Sequence, residues 1–241
     1  MIYIIGDRHG FPDGFSEERL PGESGWTAGD IVIVTGDFGY VLRGEENDPR
    51  EKEKLDALAR KPYTIAFCDG NHEGFDYLEA YPEEERFGAP VRRIRDNVFW
   101  LQRGYVYTIQ GKTFFVMGGA YSMNKADQLL YEACGGEKCW FEQELPTPEE
   151  YRRASRTLEE HHFRVDHIIT HTAPVNFIPR IIRKPADPHD RELTGYLDWV
   201  YAATEFKSWF FGHFHEDWES GMPESGKQMV CCGLNSVHRL E

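Results

Sequence analysis

Five apolar, β-branched runs along this chain each lead into a short polar signature, and this repeated pattern constrains the fold more than any other feature. The runs are Ile2 to Ile5, Ile31 to Thr35, Tyr63 to Cys68, Ile168 to Thr170 and Trp209 to Phe211. The signatures are Gly6-Asp7-Arg8-His9-Gly10, Gly36-Asp37, Gly70-Asn71-His72-Glu73, Thr170-His171 and Gly212-His213-Phe214-His215. Such runs predict buried strands, which places the polar residues at strand ends. Because open α/β sheets bind ligands beyond the carboxyl ends of their strands, the signatures are expected to converge on one crevice.

The segments between the signatures predict further elements. Asp48 to Arg60 has the pattern of a polar, amphipathic helix. Tyr105 to Ile109 and Thr113 to Met117 predict a hairpin. Thr147 to Glu160 begins with a capping residue, a proline and a capping-box acid, which predicts a second helix. Met229 to His238 predicts a final pair of strands.

Charge and composition narrow the functional classes. The formal net charge of −14 disfavours nonspecific binding to nucleic acid or anionic lipid, because both need a basic surface, so extended nucleic-acid binding is not expected. No stretch reaches the roughly 20 apolar residues that span a bilayer. Met1 to Ile5 is too short for a signal peptide, and the five cysteines lack paired spacing. These features predict a cytoplasmic protein with no membrane partner and leave its oligomeric state open.

All five signatures, in this order, resemble the pattern of the calcineurin-like metallophosphoesterase superfamily: GD-x-H-G, GD, GNH-[DE], a lone His and GH-x-H. The resemblance spans residues 6 to 215. It implies an α/β fold, a four-layer sandwich of two mixed β-sheets flanked by helices, formed by residues 1–241 as one domain. Aromatic residues within about residues 111–165 fit either a cap or insert over the site or ordinary core packing, and the sequence leaves both open.

The resemblance also implies a dinuclear metal centre. One ion would be held by Asp7, His9, Asp37 and His215, and the other by Asp37, Asn71, His171 and His213. Asp37 is shared because a carboxylate can bridge ions roughly 3.5–4 Å apart. A donor set of carboxylate, carboxamide and imidazole suits two divalent ions such as Mn, Fe, Zn or Co.

His72 has a different implied role. In the family, the histidine of the third signature faces the substrate and donates a proton to the leaving oxygen or stabilises charge on the phosphoryl group. A metal-bridging hydroxide is the implied nucleophile. The predicted activity is hydrolysis of a phosphomonoester or phosphodiester, with a phosphorylated small molecule or nucleotide as the substrate. The alternatives are a non-catalytic metal-binding scaffold on the same fold and a Ser/Thr protein phosphatase.

The second signature departs from that of the protein phosphatases, which continue it as GD-x-x-D-R-G. Here the chain continues from Asp37 through Tyr40 to Arg43, so the orienting Asp is missing and the Arg arrives two positions late. This weakens a protein-phosphatase assignment and leaves the partner of His72 unidentified. Arg8 and Arg43 are candidates for phosphate contact, because guanidinium matches phosphate oxygens. A structural salt bridge for Arg8 and a solvated loop position for Arg43 are the alternatives.

Overall fold

Two mixed β-sheets form the centre of the molecule. The computed structural model describes residues 1–222 and 226–240. The strands are β1 Ile2–Ile5, β2 Ile31–Val34, β3 Thr64–Phe67, β4 Glu83–Arg86, β5 Ala89–Arg95, β6 Val98–Leu101, β7 Tyr105–Ile109, β8 Lys112–Met117, β9 His167–Thr170, β10 Ser208–Phe211, β11 Trp218–Met222, β12 Lys227–Cys231 and β13 Val237–Leu240. The helices are α1 Pro49–Ala59, α2 Phe75–Leu78, α3 Lys125–Ala133, α4 Pro148–Glu160, α5 Ile178–Ile182 and α6 Arg191–Ala203, with short 3-10 turns at Glu23–Gly25, Glu142–Glu144 and Pro188–Asp190.

Parallel strands occupy the middle of each sheet. The first sheet has the order β13-β1-β2-β3-β6-β5-β4, and the second has the order β11-β12-β10-β9-β8-β7. Strands β1, β2, β3 and β6 are parallel in the first sheet, and β12, β10, β9 and β8 are parallel in the second. Antiparallel strands flank both groups. The five strands that precede the polar signatures are all in these parallel groups, so their carboxyl ends deliver the signatures to one edge.

Three hydrophobic clusters define the layers. One cluster lies between the two sheets and includes Ile33 from the first and Ile169 from the second. Another covers the outer face of the first sheet, where Leu55 of α1 packs. The third covers the outer face of the second sheet, where Leu158 of α4 and Leu197 of α6 pack. The alternation of side chains along each strand therefore builds the four-layer sandwich that the sequence predicted.

Local capping explains where the two predicted helices begin. The Asp48 carboxylate accepts a hydrogen bond from the Arg50 amide at the start of α1, and Thr147 and Glu150 form a reciprocal capping box at the start of α4. Each helix has proline in its first turn, where its missing N–H leaves no intrahelical bond unmade. Both helices and the hairpin of β7 and β8 are confirmed.

The predicted pairing near the carboxyl end is wrong. β12 and β13 form as strands, but β12 pairs with β10 and β11 in the second sheet, whereas β13 pairs antiparallel with β1 in the first. Both segments have strand-forming composition, yet composition does not choose the partner strand. Within the described residues, no helix is long and apolar enough to cross a bilayer.

A buried ion pair ties the first sheet to the chain as it passes into the second. Asp69 follows β3 and is fully buried, and Arg103 lies between β6 and β7 with a side chain that is 3% exposed. Arg103 Nε donates to Asp69 Oδ2 at 2.8 Å, and Trp100 Nε1 donates to Asp69 Oδ1 at 3.0 Å. Arg103 also donates to the Gln143 carbonyl at 2.7 Å. Because Asp69 directly precedes the third signature, this pair fixes that loop.

Replacing Arg103 should therefore destabilise the whole sandwich. In Arg103→Met, Asp69 keeps its buried carboxylate without a cationic partner, and we expect the free energy of unfolding to fall by about 3–5 kcal/mol. Urea unfolding followed by circular dichroism measures the change. The matched control is Arg152→Met, which removes an arginine that is 69% exposed and pairs with Glu149 on the surface of α4. Equal effects of the two substitutions would contradict the proposed importance of the buried pair.

Candidate metal centre

One group of candidate metal-ligand atoms joins the loops after β1 and β10. His215 Nε2 lies 3.1 Å from Asp7 Oδ2, and His9 Nε2 lies 2.9 Å from His215 Nε2. One donor atom from each of Asp7, His9 and His215 falls within 4.8 Å of the others. Two imidazole nitrogens and a carboxylate oxygen at such spacing can share one cation.

A second group lies deeper and includes Asp7, Asp37 and His171, all of which are buried. His171 Nε2 lies 3.2 Å from Asp37 Oδ1 and 3.2 Å from Asn71 Oδ1. The other ring nitrogen, Nδ1, lies 2.8 Å from the Thr35 carbonyl, which accepts its hydrogen. This bond leaves Nε2 to face the oxygen atoms of the site, as in metal-ligating histidines.

Asp7 contributes to both groups, and Asp37 of the second group also approaches the first. Asp37 Oδ2 is 3.8 Å from His9 Nδ1 in the first group, while Asp37 Oδ1 is 3.2 Å from His171 Nε2 in the second. The backbone amide of His72 donates to Asp37 Oδ1 at 2.8 Å. The backbone amide of His213 donates to both carboxylate oxygens of Asp7 at 3.1 Å. Each carboxylate is thus positioned by a loop from another strand.

The turns that carry the ligands have an unusual backbone conformation. His9 and Asp37 have φ of 46°, His213 has 68° and His215 has 56°. These values fall in the left-handed region, which side-chain-bearing residues seldom adopt and which clusters at functional sites. Hydrogen bonds from the backbone amides of Arg8 and His9 to the Asp37 carbonyl, at 2.9 and 2.8 Å, hold two of these turns together.

Close approach explains two of the glycines. A Cβ at Gly70 would lie 2.1 Å from Asp37 Oδ1, and a Cβ at Gly212 would lie 2.0 Å from Asp7 Oδ1. Any side chain at either position would displace a carboxylate of the site. Gly70 and Gly212 thus each make room for a candidate ligand from a different signature.

The electrostatics of the deeper group favour a cation. Burial opposes protonation of His171, but the carboxylates of Asp37 and Asp7 outweigh burial and raise its pKa to about 10. Burial alone would raise the pKa of Asp37, yet the neighbouring His171 holds it below its ordinary value. Burial and the charge of His171 lower the pKa of His213 to about 4, so its imidazole is neutral. The carboxylates therefore stabilise positive charge at His171 Nε2, a position at which a metal ion can replace a proton.

Two polar residues outside the signatures orient Asn71. Asn71 Nδ2 donates to Ser122 Oγ at 3.2 Å, and Ser122 Oγ donates to Glu144 Oε2 at 2.6 Å. Glu144 also accepts from the Ser122 amide at 3.1 Å, and both residues are buried. This chain turns the Asn71 carbonyl oxygen toward His171. Sequence reasoning missed both residues, because neither belongs to a motif. Ser122 and Glu144 follow Asn71 by about 50 and 70 positions in the chain.

The acid of the third signature supports a loop. Glu73 is buried and accepts from the amides of Phe38 and Gly39 at 2.7 and 3.1 Å. Burial and the Asp37 carboxylate raise the pKa of Glu73 well above its ordinary value. Tyr40 occupies the position where protein phosphatases carry their orienting Asp, and its hydroxyl donates to the Phe11 carbonyl at 2.6 Å.

The two candidate phosphate-binding arginines have other partners. Arg8 is 1% exposed, and its guanidinium donates to the carbonyls of Gly6, Asp7, Gly14 and Leu234. Arg43 is half-exposed and lies 2.7 Å from Glu137. Arg8 therefore stabilises the loop of the first signature through hydrogen bonds to backbone carbonyls. Arg43 links the loop after the second signature to the segment between β8 and α4. Phosphate contact by either residue stays a prediction.

His72 lies at the mouth of the site, where two cavities meet. Its ring is partly exposed and lies 5.5 Å from that of His9. Among the described residues, its imidazole makes no hydrogen bond. A cavity of about 550 Å³ opens beside Asn71, His213 and His215, and one of about 260 Å³ opens beside His9. His72 lines both cavities.

The segment between β8 and α4 forms walls of both cavities. Tyr121, Met123 and Asn124 line the larger one, and Gln128 and Tyr131 of α3 line the smaller one. β8 and α4 themselves belong to the second sheet and its helical layer. These lining residues fall within the range of about 111–165 that the sequence gives for a cap or insert, and a role as a cap stays a prediction.

Solved structures of low sequence identity share this fold. One is GAP50, the anchor in the inner membrane complex of Plasmodium, with a TM-score of 0.55, 11% identity, and coverage of 96% of this chain and 70% of that one. Another is a Staphylococcus aureus protein described as a 5′-nucleotidase, with a TM-score of 0.50, 15% identity, and coverage of 98% of this chain and 49% of that one. At these identities, the likeness shows the fold alone. No curated protein sequence matches this chain significantly.

Sequence comparison identifies the family directly. The family model for calcineurin-like phosphoesterases matches residues 1–217, a range that includes all five polar signatures and both groups of ligand atoms. The chain belongs to the calcineurin-like phosphoesterase family.

Proposed function

We propose that this protein is a metal-dependent phosphoesterase with a dinuclear centre. The observation that carries the proposal is the convergence of two groups of ligand atoms, from four loops of two sheets, next to His72 at the mouth of a cavity. One ion would be held by Asp7, His9, Asp37 and His215, and the other by Asp37, Asn71, His171 and His213. The contacts of Asp37 with both His9 and His171 support its role as the bridging ligand.

The donor chemistry supports divalent ions of intermediate hardness. The ligand atoms are carboxylate, carboxamide and imidazole, a set that suits Mn, Fe, Zn or Co. Two bound dications would acidify a water to supply the nucleophile and would neutralise phosphoryl oxygens. This local positive charge would offset the formal net charge of −14 where an anionic substrate must bind.

His72 is the proposed general acid. Its backbone amide donates a hydrogen bond to Asp37 Oδ1 at 2.8 Å, which positions the residue beside the ligands. Its imidazole lines both cavities. A protonated imidazole in this position can give its proton to the oxygen that leaves phosphorus. Because His72 does not bond to another side chain among the described residues, its proton is available to the substrate.

The segment between β8 and α4 is the proposed cap. Ion pairs attach it to the body of the protein on the side of the smaller cavity: Arg43 with Glu137 at 2.7 Å, and Lys138 with Asp76 at 2.6 Å. Since this segment lines both cavities, it would determine which substrates reach the ligand groups.

The bridging role of Asp37 can be tested by Asp37→Asn. The neutral amide bridges two cations poorly, so metal content should fall from about two equivalents per chain to one or fewer, with loss of turnover. Plasma mass spectrometry and assays with chromogenic phosphoesters measure the two effects. Asp48→Asn is the control, because asparagine also caps helices and Asp48 is remote from the site. A variant that keeps about two metals and near-normal turnover would refute the assignment of Asp37.

The role of Ser122 can be tested through metal affinity. Ser122→Ala removes the oxygen that accepts from Asn71 Nδ2, so Asn71 should be less well oriented and metal affinity should fall by roughly 10–100-fold. Competition with a chelating dye measures the affinity. The control is Ser155→Ala, which removes a hydroxyl that contacts Tyr196 on the outer helical layer. Equal affinities in the two variants would mean that Asn71 does not depend on Ser122.

The role of His72 can be separated from metal binding by His72→Asn. Metal content and melting temperature should be preserved, while the chemical step slows by roughly 10²–10⁴-fold. The defect should shrink for substrates with very acidic leaving groups, because an aryloxide leaves without needing a proton. His162→Asn is the control, since His162 is exposed and has a positive φ that asparagine tolerates.

Two results would contradict this role. Loss of metal in His72→Asn would make His72 a ligand. An equal rate defect for good and poor leaving groups would mean that His72 stabilises charge without donating a proton.

A further inference from the structure

The two cavities beside His72 bear on the class of substrate. We infer that the site is built for a phosphodiester, with an aromatic substituent in the larger cavity and the second substituent in the smaller one. The inference rests on the proposed phosphoesterase function and decides between the monoester and diester substrates that the sequence leaves open.

The first argument is geometric. The larger cavity is lined by Asp37, Asn71, His213 and His215, and the smaller one by His9. The ligand groups therefore lie between the cavities. A phosphorus atom held at these groups would have room for a substituent on each side. A monoester carries one substituent and would leave one cavity unused, whereas a diester places a group in each.

The second argument concerns the nature of the larger substituent. The walls of the larger cavity include Ile178, Ile182, Tyr121 and Phe214. The Tyr121 ring is held in place by stacking on His189, with centroids 5.0 Å apart and an interplanar angle of 15°. Fixed aromatic and branched aliphatic surfaces suit a flat ring more than a polar chain. A cavity of about 550 Å³ has ample room for such a group.

The reaction consumes one water for each diester. The water oxygen bonds to phosphorus as one P–O ester bond breaks, and the leaving oxygen takes a proton from His72. The products are a phosphomonoester and an alcohol. The water supplies two protons: one restores His72, and the other is released when the monoester ionises.

The test compares diester substrates with a monoester and then uses substitutions that reduce the volume of the larger cavity. Mn²⁺-loaded enzyme is assayed with methyl p-nitrophenyl phosphate, phenyl p-nitrophenyl phosphate and p-nitrophenyl phosphate, which share one leaving group. We expect kcat/KM to be at least about tenfold higher for the phenyl diester than for the monoester. A ratio of about tenfold is what one modest binding interaction, here that of the second substituent, would produce.

Ile182→Trp should reduce kcat/KM for the phenyl diester more than for the methyl diester or the monoester, because it occupies the space that the ring needs. Ile182→Phe is the smaller replacement if the tryptophan variant does not fold. Ala202→Trp is the control, because Ala202 is exposed on α6 and does not line either cavity. Its activity should match that of the parent enzyme.

The outcomes separate the inference from the proposed function. A preference for the monoester, or an equal loss on all three substrates in the Ile182 variants, would overturn the diester inference and leave a phosphoesterase. Failure of the metal-loaded protein to hydrolyse any of the three would overturn both.

Discussion

Two buried carboxylates, Asp7 and Asp37, impose the constraint on which the rest of the site depends. Each is 1% exposed, and bringing such groups out of water costs several kcal/mol per ion unless donors or cations surround them. The structure supplies the backbone amides of His72 and His213 and the imidazole of His171. The left-handed turns and the glycines at close approach allow these groups to reach the carboxylates. The remaining negative potential is what makes the site suited to cations.

The sandwich separates the rigid part of the site from the part that selects the substrate. Ligands come from loops at the carboxyl ends of parallel strands in both sheets, and the buried pair of Asp69 and Arg103 fixes the loop that carries Asn71 and His72. By contrast, much of the cavity wall comes from the segment between β8 and α4 and from the region of α5. Residues that would react lie on loops directly after the strands and are held by hydrogen bonds between those loops. Residues that would contact the substituents lie on longer connecting segments, which can vary without disturbing the sheets.

The proposed chemistry follows from this division. The ligand groups would bind the phosphoryl oxygens through metal ions, and His72 would serve the leaving oxygen. The walls would then act on the substituents alone. The presence of a cavity on each side of the ligand groups and the apolar surface of the larger cavity are the features that connect the phosphoesterase proposal with a diester substrate.

The sequence by itself predicted the strands before the five signatures, the hairpin of β7 and β8, the two capped helices, the family and the candidate ligand residues, because these depend on periodicity, capping and short motifs that act over a few residues. Tertiary structure alone decided that β12 and β13 join different sheets, that Ser122 and Glu144 orient Asn71, and that Arg8 donates to backbone carbonyls. It also placed His72 between two cavities of unequal size. These features depend on contacts between residues far apart in the chain, and such contacts are set by how the layers pack, a property that no local pattern encodes.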